Sequence, residues 1–183
     1  LTKTAYVPNI NAYIVNKPHN VAIYEGTTAS ASFLLTQTRY CYDGDNIKCT
    51  AAPTQGLLTR TRDMIKYPGE ADQWAETTFE YDSDTSGCPA VGNLTAVTDA
   101  MGTVSNTTYN ASNCLYKDST STTVGTTTLT TRYTWDEGLG VLLTTTDPNN
   151  NADHTTGRVL RNEYDGFGRL RGVYSSPPND PNG

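Results

Sequence analysis

Residues 161–170 decide the fold, and they read Arg161-Asn162-Glu163-Tyr164-Asp165-Gly166-Phe167-Gly168-Arg169-Leu170. A short run suited to a strand ends on an aromatic residue, an acid follows it, and a glycine comes three residues later. The carboxylate of Asp165 can accept hydrogen bonds from the N–H groups of a turn. Gly168 permits a tight reversal of the chain. The stretch therefore predicts a strand, a turn and a returning strand.

The same pattern recurs along the chain. The aromatic–acid pairs are Tyr42-Asp43, Tyr81-Asp82, Tyr109-Asn110, Trp135-Asp136 and Tyr164-Asp165. From Asp82 onward, the second members of successive pairs are separated by 28, 26 and 29 residues. Returning segments that begin with glycine lie at residues 56–63, 92–99, 140–147 and 168–174. Such regular spacing indicates an internal repeat in which each copy is one supersecondary unit.

Composition supports β-structure with a thin core. The 183 residues include 32 threonines and 12 tyrosines, and only 36% are hydrophobic. Threonine and tyrosine suit a pleated, half-exposed surface. Phe79 and Tyr81 fall on one face of a strand, and Thr78 and Glu80 fall on the other. We therefore predict an all-β protein, in which successive antiparallel hairpins form a curved ribbon with little or no helix. Only residues 72–77 carry a weak helical pattern.

The repeat resembles the Rhs or YD repeat, whose pattern is Tyr-Asp, two residues, then Gly-Arg-Leu. The matching residues are Tyr164, Asp165, Gly168, Arg169 and Leu170. Tyr42-Asp43, Tyr81-Asp82 and Trp135-Asp136 are similar to further copies, and Tyr109-Asn110 to a weaker one. The resemblance covers most of residues 36–176. It predicts an irregular flank with short strands at residues 1–35, the repeat ribbon at 36–176 and a Pro/Asn-rich tail at 177–183.

The resemblance implies a structural role. Repeats of this family form spiralling β-shells in bacterial Rhs toxins, in the B and C components of ABC toxin complexes and in teneurin ectodomains. Those shells are far longer than this chain, so the resemblance implies a shell segment. The expected partner is the remainder of such a shell, or further copies of this chain, with glycans as another candidate.

Charge and hydropathy exclude several classes. The net charge of -6 and the scattered basic residues argue against nucleic acid as a partner. No run approaches the roughly 18 apolar residues of a membrane span. The first residues lack the pattern of a signal peptide. Because the sequence opens at Leu1, a processed or excised product is expected.

Four cysteines, Cys41, Cys49, Cys88 and Cys114, lack the C-x-x-C spacing of a structural zinc site. Three pairings are open, and free thiols are the alternative. The loops after Tyr81-Asp82 and Tyr109-Asn110 are expected at one edge of the ribbon, which favours Cys88–Cys114 and leaves Cys41–Cys49 as a local bridge. Disulfides favour a secreted or cell-surface protein. The sequons at Asn93, Asn106 and Asn110 are candidates for glycosylation.

No catalytic constellation is present. One acid per hairpin at a fixed place is typical of turn capping and not of a paired-carboxylate site. His19 and His154 accompany no nucleophile motif and are expected in solvated loops. Residues 43–46 and 147–153 offer oxygen ligands, but Asn/Asp turns account for them, so neither metal nor cofactor is predicted.

We therefore expect a non-catalytic structural segment of a secreted, toxin-like or cell-surface protein. Two alternatives stay open. One is an extracellular filament subunit that assembles through edge strands, because a short ribbon leaves unpaired edges. The other is a carbohydrate-binding adhesion module, because aromatic side chains can stack on sugars as well as pack across strands.

Overall fold

The computed structural model describes residues 1–44, 48–66, 71–83, 90–148 and 158–176. They form twelve strands: β1 (Thr2–Tyr6), β2 (Pro18–Tyr24), β3 (Leu34–Tyr42), β4 (Leu58–Ile65), β5 (Gln73–Tyr81), β6 (Leu94–Thr98), β7 (Val104–Tyr109), β8 (Lys117–Val124), β9 (Thr127–Asp136), β10 (Val141–Thr146), β11 (Val159–Tyr164) and β12 (Leu170–Ser176). The strands join one open antiparallel sheet in chain order. The only helical piece in these ranges is a 3-10 turn at Ala31–Phe33.

The prediction of an all-β protein built from antiparallel hairpins is confirmed. The weak helical expectation for residues 72–77 is wrong, because residues 73–77 lie in β5, where they pair with β4. No helix in the described residues is long and apolar enough to cross a membrane.

The chain divides into two compact units. The first comprises Leu1–Glu80 and Val97–Gly102. Its buried hydrophobic residues are Ala22, Cys41, Tyr42, Cys49 and Met64, and Pro53 is also fully buried. Small or polar-tipped side chains fill most of these places, so this unit has the thin core that its composition predicts.

The second unit comprises Tyr81–Ala96 and Thr103–Gly183. Its buried hydrophobic residues, within the described ranges, are Ala96 and Cys114. Hydroxyl pairs link neighbouring strands instead, at 2.6–3.1 Å, and they are Ser105 with Thr122, Thr108 with Ser119, Thr123 with Thr128 and Thr134 with Thr144. Cross-strand hydroxyl pairs stabilise a sheet that has little apolar area to bury.

A β-bulge recurs at six aromatic residues at or next to the ends of strands of the described sheet. Tyr42 pairs with Leu58 while Cys41 pairs with Arg60, so Thr59 is the extra residue. The same shift occurs at Tyr6, Tyr24, Tyr109, Trp135 and Tyr164, and the extra residues are His19, Leu35, Asp118, Leu143 and Arg171. A bulge re-aims the extra side chain and increases the local twist.

The segment before residue 36 follows the same rule. β1 and β2 pair with each other, and β2 pairs with β3, through the bulges at Tyr6 and Tyr24. His19 lies in β2 and is half-buried, so its expected place in a solvated loop is wrong. His154 and the tail at 177–183 lie outside the described residues.

Candidate functional site

The aromatic–acid pairs stand at the ends of five strands, and we refer to them as the aromatic–acid turns. Tyr42-Asp43 ends β3, Tyr81-Asp82 ends β5, Tyr109-Asn110 ends β7, Trp135-Asp136 ends β9 and Tyr164-Asp165 ends β11. In each of these turns the chain leaves one strand and comes back as the next. The predicted aromatic and acidic side chains therefore lie where the chain reverses direction.

Asp43 holds the longest of these turns closed. Its Oδ2 accepts hydrogen bonds from the backbone N–H groups of Thr54, Gln55 and Gly56 at 2.6–3.0 Å. Its Oδ1 accepts the N–H of Leu57 at 2.8 Å. Burial alone would raise the pKa of this carboxyl, but the four N–H donors outweigh it and hold the pKa below its ordinary value.

Asp82 and Asp165 repeat this arrangement with shorter lists of donors. Asp82 accepts the N–H groups of Gly92 and Asn93 at 2.9 and 3.0 Å. Asp165 accepts the N–H groups of Phe167 and Arg169 at 2.9 and 3.0 Å and the Arg169 Nε at 2.7 Å. The backbone N–H of Arg169 is the main cause that lowers the pKa of Asp165.

The remaining two turns, at Asp136 and Asn110, use similar hydrogen bonds with different partners. Asp136 accepts the N–H groups of Gly138 and Leu139, both at 2.9 Å. Asn110 accepts the N–H of Ser112 at 2.7 Å through Oδ1 and donates from Nδ2 to Glu137 at 2.9 Å. The amide oxygen of Asn110 therefore accepts a turn N–H as the carboxylates do in the other turns, and its amide nitrogen hydrogen-bonds the Glu137 carboxylate.

The aromatic members bond in the opposite direction, to the preceding strand. The hydroxyls of Tyr42, Tyr109 and Tyr164 donate to the carbonyls of Pro18, Leu94 and Leu142 at 2.9, 3.1 and 2.9 Å. Trp135 donates from Nε1 to the carbonyl of Lys117 at 2.8 Å. Burial raises the pKa of the Tyr42 and Tyr109 hydroxyls, which keeps them protonated as donors. The ring of Trp135 also stacks on Tyr116 at 5.1 Å between centroids.

The chemistry of these turns is therefore structural. Each carboxylate accepts N–H groups of its own turn, and the side chains of Tyr42, Tyr109, Trp135 and Tyr164 each donate to a main-chain carbonyl. Gly168 has a positive φ of 75°, as the tight reversal requires, and Leu170 begins the return strand. No group of three or more His, Cys, Asp or Glu side chains that could hold a metal occurs within the described residues. The calcium candidates at 43–46 and 147–153 lie partly outside them.

The cysteines and sequons have distinct places. Cys41 and Cys49 form a disulfide, as the local pairing predicts. Cys114 is also disulfide-bonded, but the predicted Cys88–Cys114 pairing cannot be placed because Cys88 lies outside the described residues. Asn93 donates to the Cys114 carbonyl at 2.6 Å, whereas Asn106 is exposed on β7.

A cationic cluster on the first unit was not predicted. Arg39 and Arg62 stand directly opposite each other on β3 and β4, and their guanidinium carbons lie 4.4 and 4.9 Å from the ring centroid of Trp74. Glu76 accepts the Nε of Arg62 at 2.7 Å and lies 3.6 Å from Arg60. Burial, and then the charge of Arg62, lower the pKa of Arg39. The sequence signal was the pair Arg60 and Arg62 at alternate positions of one strand, but the placement of Arg62 opposite Arg39 depends on the register of β3 and β4.

Two of the cavities among the described residues lie on these strands and loops. One, of about 320 Å³, lies on the first unit beside Arg39. The other, of about 800 Å³, lies on the second unit among β9, β10, β11 and β12, where Asp136, Glu163, Arg161 and Tyr174 are part of its lining.

Comparisons with known proteins give a likeness of fold. No protein-family model matches the sequence, and no curated protein matches it either. The chain is similar to the crystal structure of TcdB2-TccC3 without its hypervariable C-terminal region, with 16% identity and a TM-score of 0.53 over 98% of this chain. It is also similar to that of TcdB2-TccC3-Cdc42, with 14% identity and a TM-score of 0.50 over 95% of this chain. The chain spans 10% of the length of each. This sheet of hairpins therefore has a fold similar to that of part of the TcdB2-TccC3 chains.

Proposed function

We propose that the chain is a non-catalytic structural segment of Rhs/YD-repeat type, belonging to a larger secreted, toxin-like or cell-surface protein. The observation that carries the proposal is the recurrence of one device. An aromatic side chain donates to the preceding strand, the acid beside it closes the following turn, and a bulge stands opposite. A device that recurs at Tyr42, Tyr109, Trp135 and Tyr164 belongs to the scaffold, whereas a catalytic site needs one distinct constellation.

The fold comparison supports the same proposal. The chain resembles part of the TcdB2-TccC3 structures, over a tenth of the length of the matched chain. A segment of that kind would continue into further hairpins on both sides and contribute wall to a β-shell. The disulfide Cys41–Cys49 supports an extracellular setting for such a shell, because disulfides persist in oxidising compartments.

Replacement of the acids tests the proposed structural role. The variants Asp82→Asn and Asp165→Asn are compared with Asp118→Asn, which changes an exposed acid on β8. A scaffold role requires the first two to lower the unfolding midpoint and the third to leave it unchanged. A hydrolytic activity of the purified chain that Asp82→Asn abolishes without a change in midpoint would refute the proposal.

Assembly through an edge strand is the second candidate, and β12 favours it. In the described residues β12 pairs only with β11, and it leaves Leu170, Val173 and Tyr174 more than half exposed. An edge with exposed apolar side chains is a template for strand addition. Size exclusion with light scattering, together with electron microscopy, distinguishes the two candidates. A filament subunit is expected to form ordered polymers at micromolar concentration. A discrete species of fixed mass would contradict the filament candidate. Carbohydrate binding stays a prediction that a glycan array tests.

A further inference from the structure

A small cavity on the first unit combines basic side chains with amides and a hydroxyl. Its lining residues are His19 and Asn20 of β2, Gln37 and Arg39 of β3, and Lys48 and Thr50 of the following loop. The cavity measures about 320 Å³, which is room for a small ligand and not for a peptide. No Asp or Glu of the described residues lines it.

The hydrogen bonds in the wall of the cavity run in one direction. Arg39 donates from Nη2 to Oε1 of Gln37 at 3.3 Å, and Gln37 donates from Nε2 to Oδ1 of Asn20 at 2.7 Å. A guanidinium can only donate, so Gln37 must turn its oxygen to Arg39 and its nitrogen to Asn20. Both side-chain amide oxygens thereby accept a hydrogen bond within the wall. Asn20 Nδ2 and the other N–H groups of Arg39 are left as donors on this wall.

The charged side chains beside the cavity are mainly positive, which suits the same kind of ligand as the N–H donors do. Asn20 and Arg39 are directly opposite on β2 and β3, and Arg62 follows on β4 in the same row. Glu76 binds Arg62 at 2.7 Å. Arg39 has the Trp74 ring and Gln37 as its described partners, and no carboxylate. In a chain of net charge -6, this is a local concentration of positive charge.

A β-bulge and a disulfide hold the lining of the cavity in place. His19 is the extra residue of the bulge between β1 and β2, so its side chain is re-aimed relative to the regular strand. Lys48 and Thr50 flank Cys49, which is 1% exposed and is bonded to Cys41 of β3. The loop therefore brings these two side chains to the cavity from a fixed point.

We propose that this cavity binds the oxyanion group of a small ligand, such as a sulfate, phosphate or carboxylate. Side-chain donors in the lining and a guanidinium that no described carboxylate neutralises are what such a group requires. Arg39 would supply charge-assisted hydrogen bonds, and Asn20 Nδ2 would bind a second oxygen of the same group. This site is separate from the aromatic–acid turns and does not depend on the scaffold role.

Titration of the full chain with inorganic anions tests the proposal. Sodium sulfate, phosphate and acetate are added at constant ionic strength, and the nitrogen–proton NMR signals of Asn20 Nδ2 and Arg39 Nε are followed. A saturable shift with one of the anions is expected, and the three arms distinguish the tetrahedral groups from the carboxylate. Asn20→Asp and Arg39→Gln should each raise the dissociation constant at least about tenfold, because each removes a charge-assisted or directed bond.

Lys3→Gln is the matched control, since it removes one positive charge from exposed β1. It should change the dissociation constant less than about twofold, because Lys3 does not line the cavity and the charge of an exposed side chain is screened by salt. Circular dichroism establishes that each variant is folded, and if Arg39→Gln unfolds, Asn20→Asp alone decides. Shifts that never saturate, or an equal weakening by Lys3→Gln, would overturn the proposal.

Discussion

Asp43 and Leu57 are bonded to each other twice. The backbone N–H of Asp43 donates to the Leu57 carbonyl at 2.8 Å, and the Asp43 carboxylate accepts the Leu57 N–H at 2.8 Å. Leu57 is the residue immediately before β4. Asp82 with Asn93, and Asp165 with Arg169, form the same reciprocal pair immediately before β6 and β12. The acid therefore fixes where the return strand begins.

Loss of the Asp43 carboxylate should destabilise the chain. Asp43→Asn keeps the size but converts one accepting oxygen into a donor that faces N–H groups. We expect the free energy of unfolding to fall by about 1–3 kcal/mol, because hydrogen bonds to a charged acceptor are lost and the part-buried N–H groups of Gly56 and Leu57 are left facing a donor. Urea unfolding followed by circular dichroism measures it. Asp118→Asn is the control, and an equal effect of both variants would show that the turn bonds contribute nothing specific.

Stability should decline in acid through the same carboxylates. The folded pKa values of Asp43 and Asp165 lie below their ordinary values, so the stabilisation is present above the unfolded pKa of about 3.9. It is lost as the pH falls from about 4 through the lower, folded values. Thermal unfolding from pH 7 to pH 2 should show the gap between wild type and Asp43→Asn closing over this window. A gap that persists at pH 2 contradicts the assignment.

The tyrosine hydroxyls should contribute unequally. Tyr42→Phe should lower the free energy of unfolding by about 0.5–1.5 kcal/mol, because a buried hydroxyl bond to the Pro18 carbonyl is lost. Tyr164→Phe should cost less, since the Leu142 carbonyl keeps Asn162 Nδ2 as a donor at 3.0 Å. Tyr13 is 91% exposed, so Tyr13→Phe should have no effect. A Tyr164→Phe cost above that of Tyr42→Phe would count against this account.

The Cys41–Cys49 bridge closes a short loop, with a sequence separation of 8. Replacing both cysteines by alanine should lower the free energy of unfolding by about 2–3 kcal/mol. The double variant leaves Cys114 unaltered, which reduction with a thiol would not. Peptide mapping without reductant should recover residues 41 and 49 in one linked fragment. A fragment that links Cys41 to Cys88 would be incompatible with the described pairing.

The sequence predicted those strands that are bounded by a turn signal in the adjacent residues. Tyr164-Asp165 and the glycine after it specify a turn by themselves, and the strands on either side follow. β8 was missed because Lys117–Val124 is polar almost throughout and has no apolar alternation. It is a strand because its serine and threonine hydroxyls meet those of β7 and β9. Such pairing exists only once the neighbours are in place.

The bulges explain the other omissions. Tyr6 precedes Val7 and Tyr24 precedes Glu25, so a search for an aromatic residue followed by Asp or Asn passes over both. The register nevertheless shifts there as at Tyr42. Each shift also changes which side chains meet across strands. The row of Asn20, Arg39 and Arg62, and hence the cavity beside it, depends on that register. Cross-strand contacts of this kind cannot be derived from spacing along one strand.

The reciprocal bond between an acid and the residue before the return strand has an evolutionary consequence. The hydrogen bond that Asp43 accepts closes a connection that ends at Leu57, whereas the bond that Asp165 accepts closes one that ends at Arg169, four residues later. Both acids nevertheless bind the residue immediately before the next strand. Connections of very different length can therefore be exchanged without altering the alignment of the hairpins. At these points the sheet would accept grafted or diversified segments, and natural variation should accumulate there while the frame stays constant.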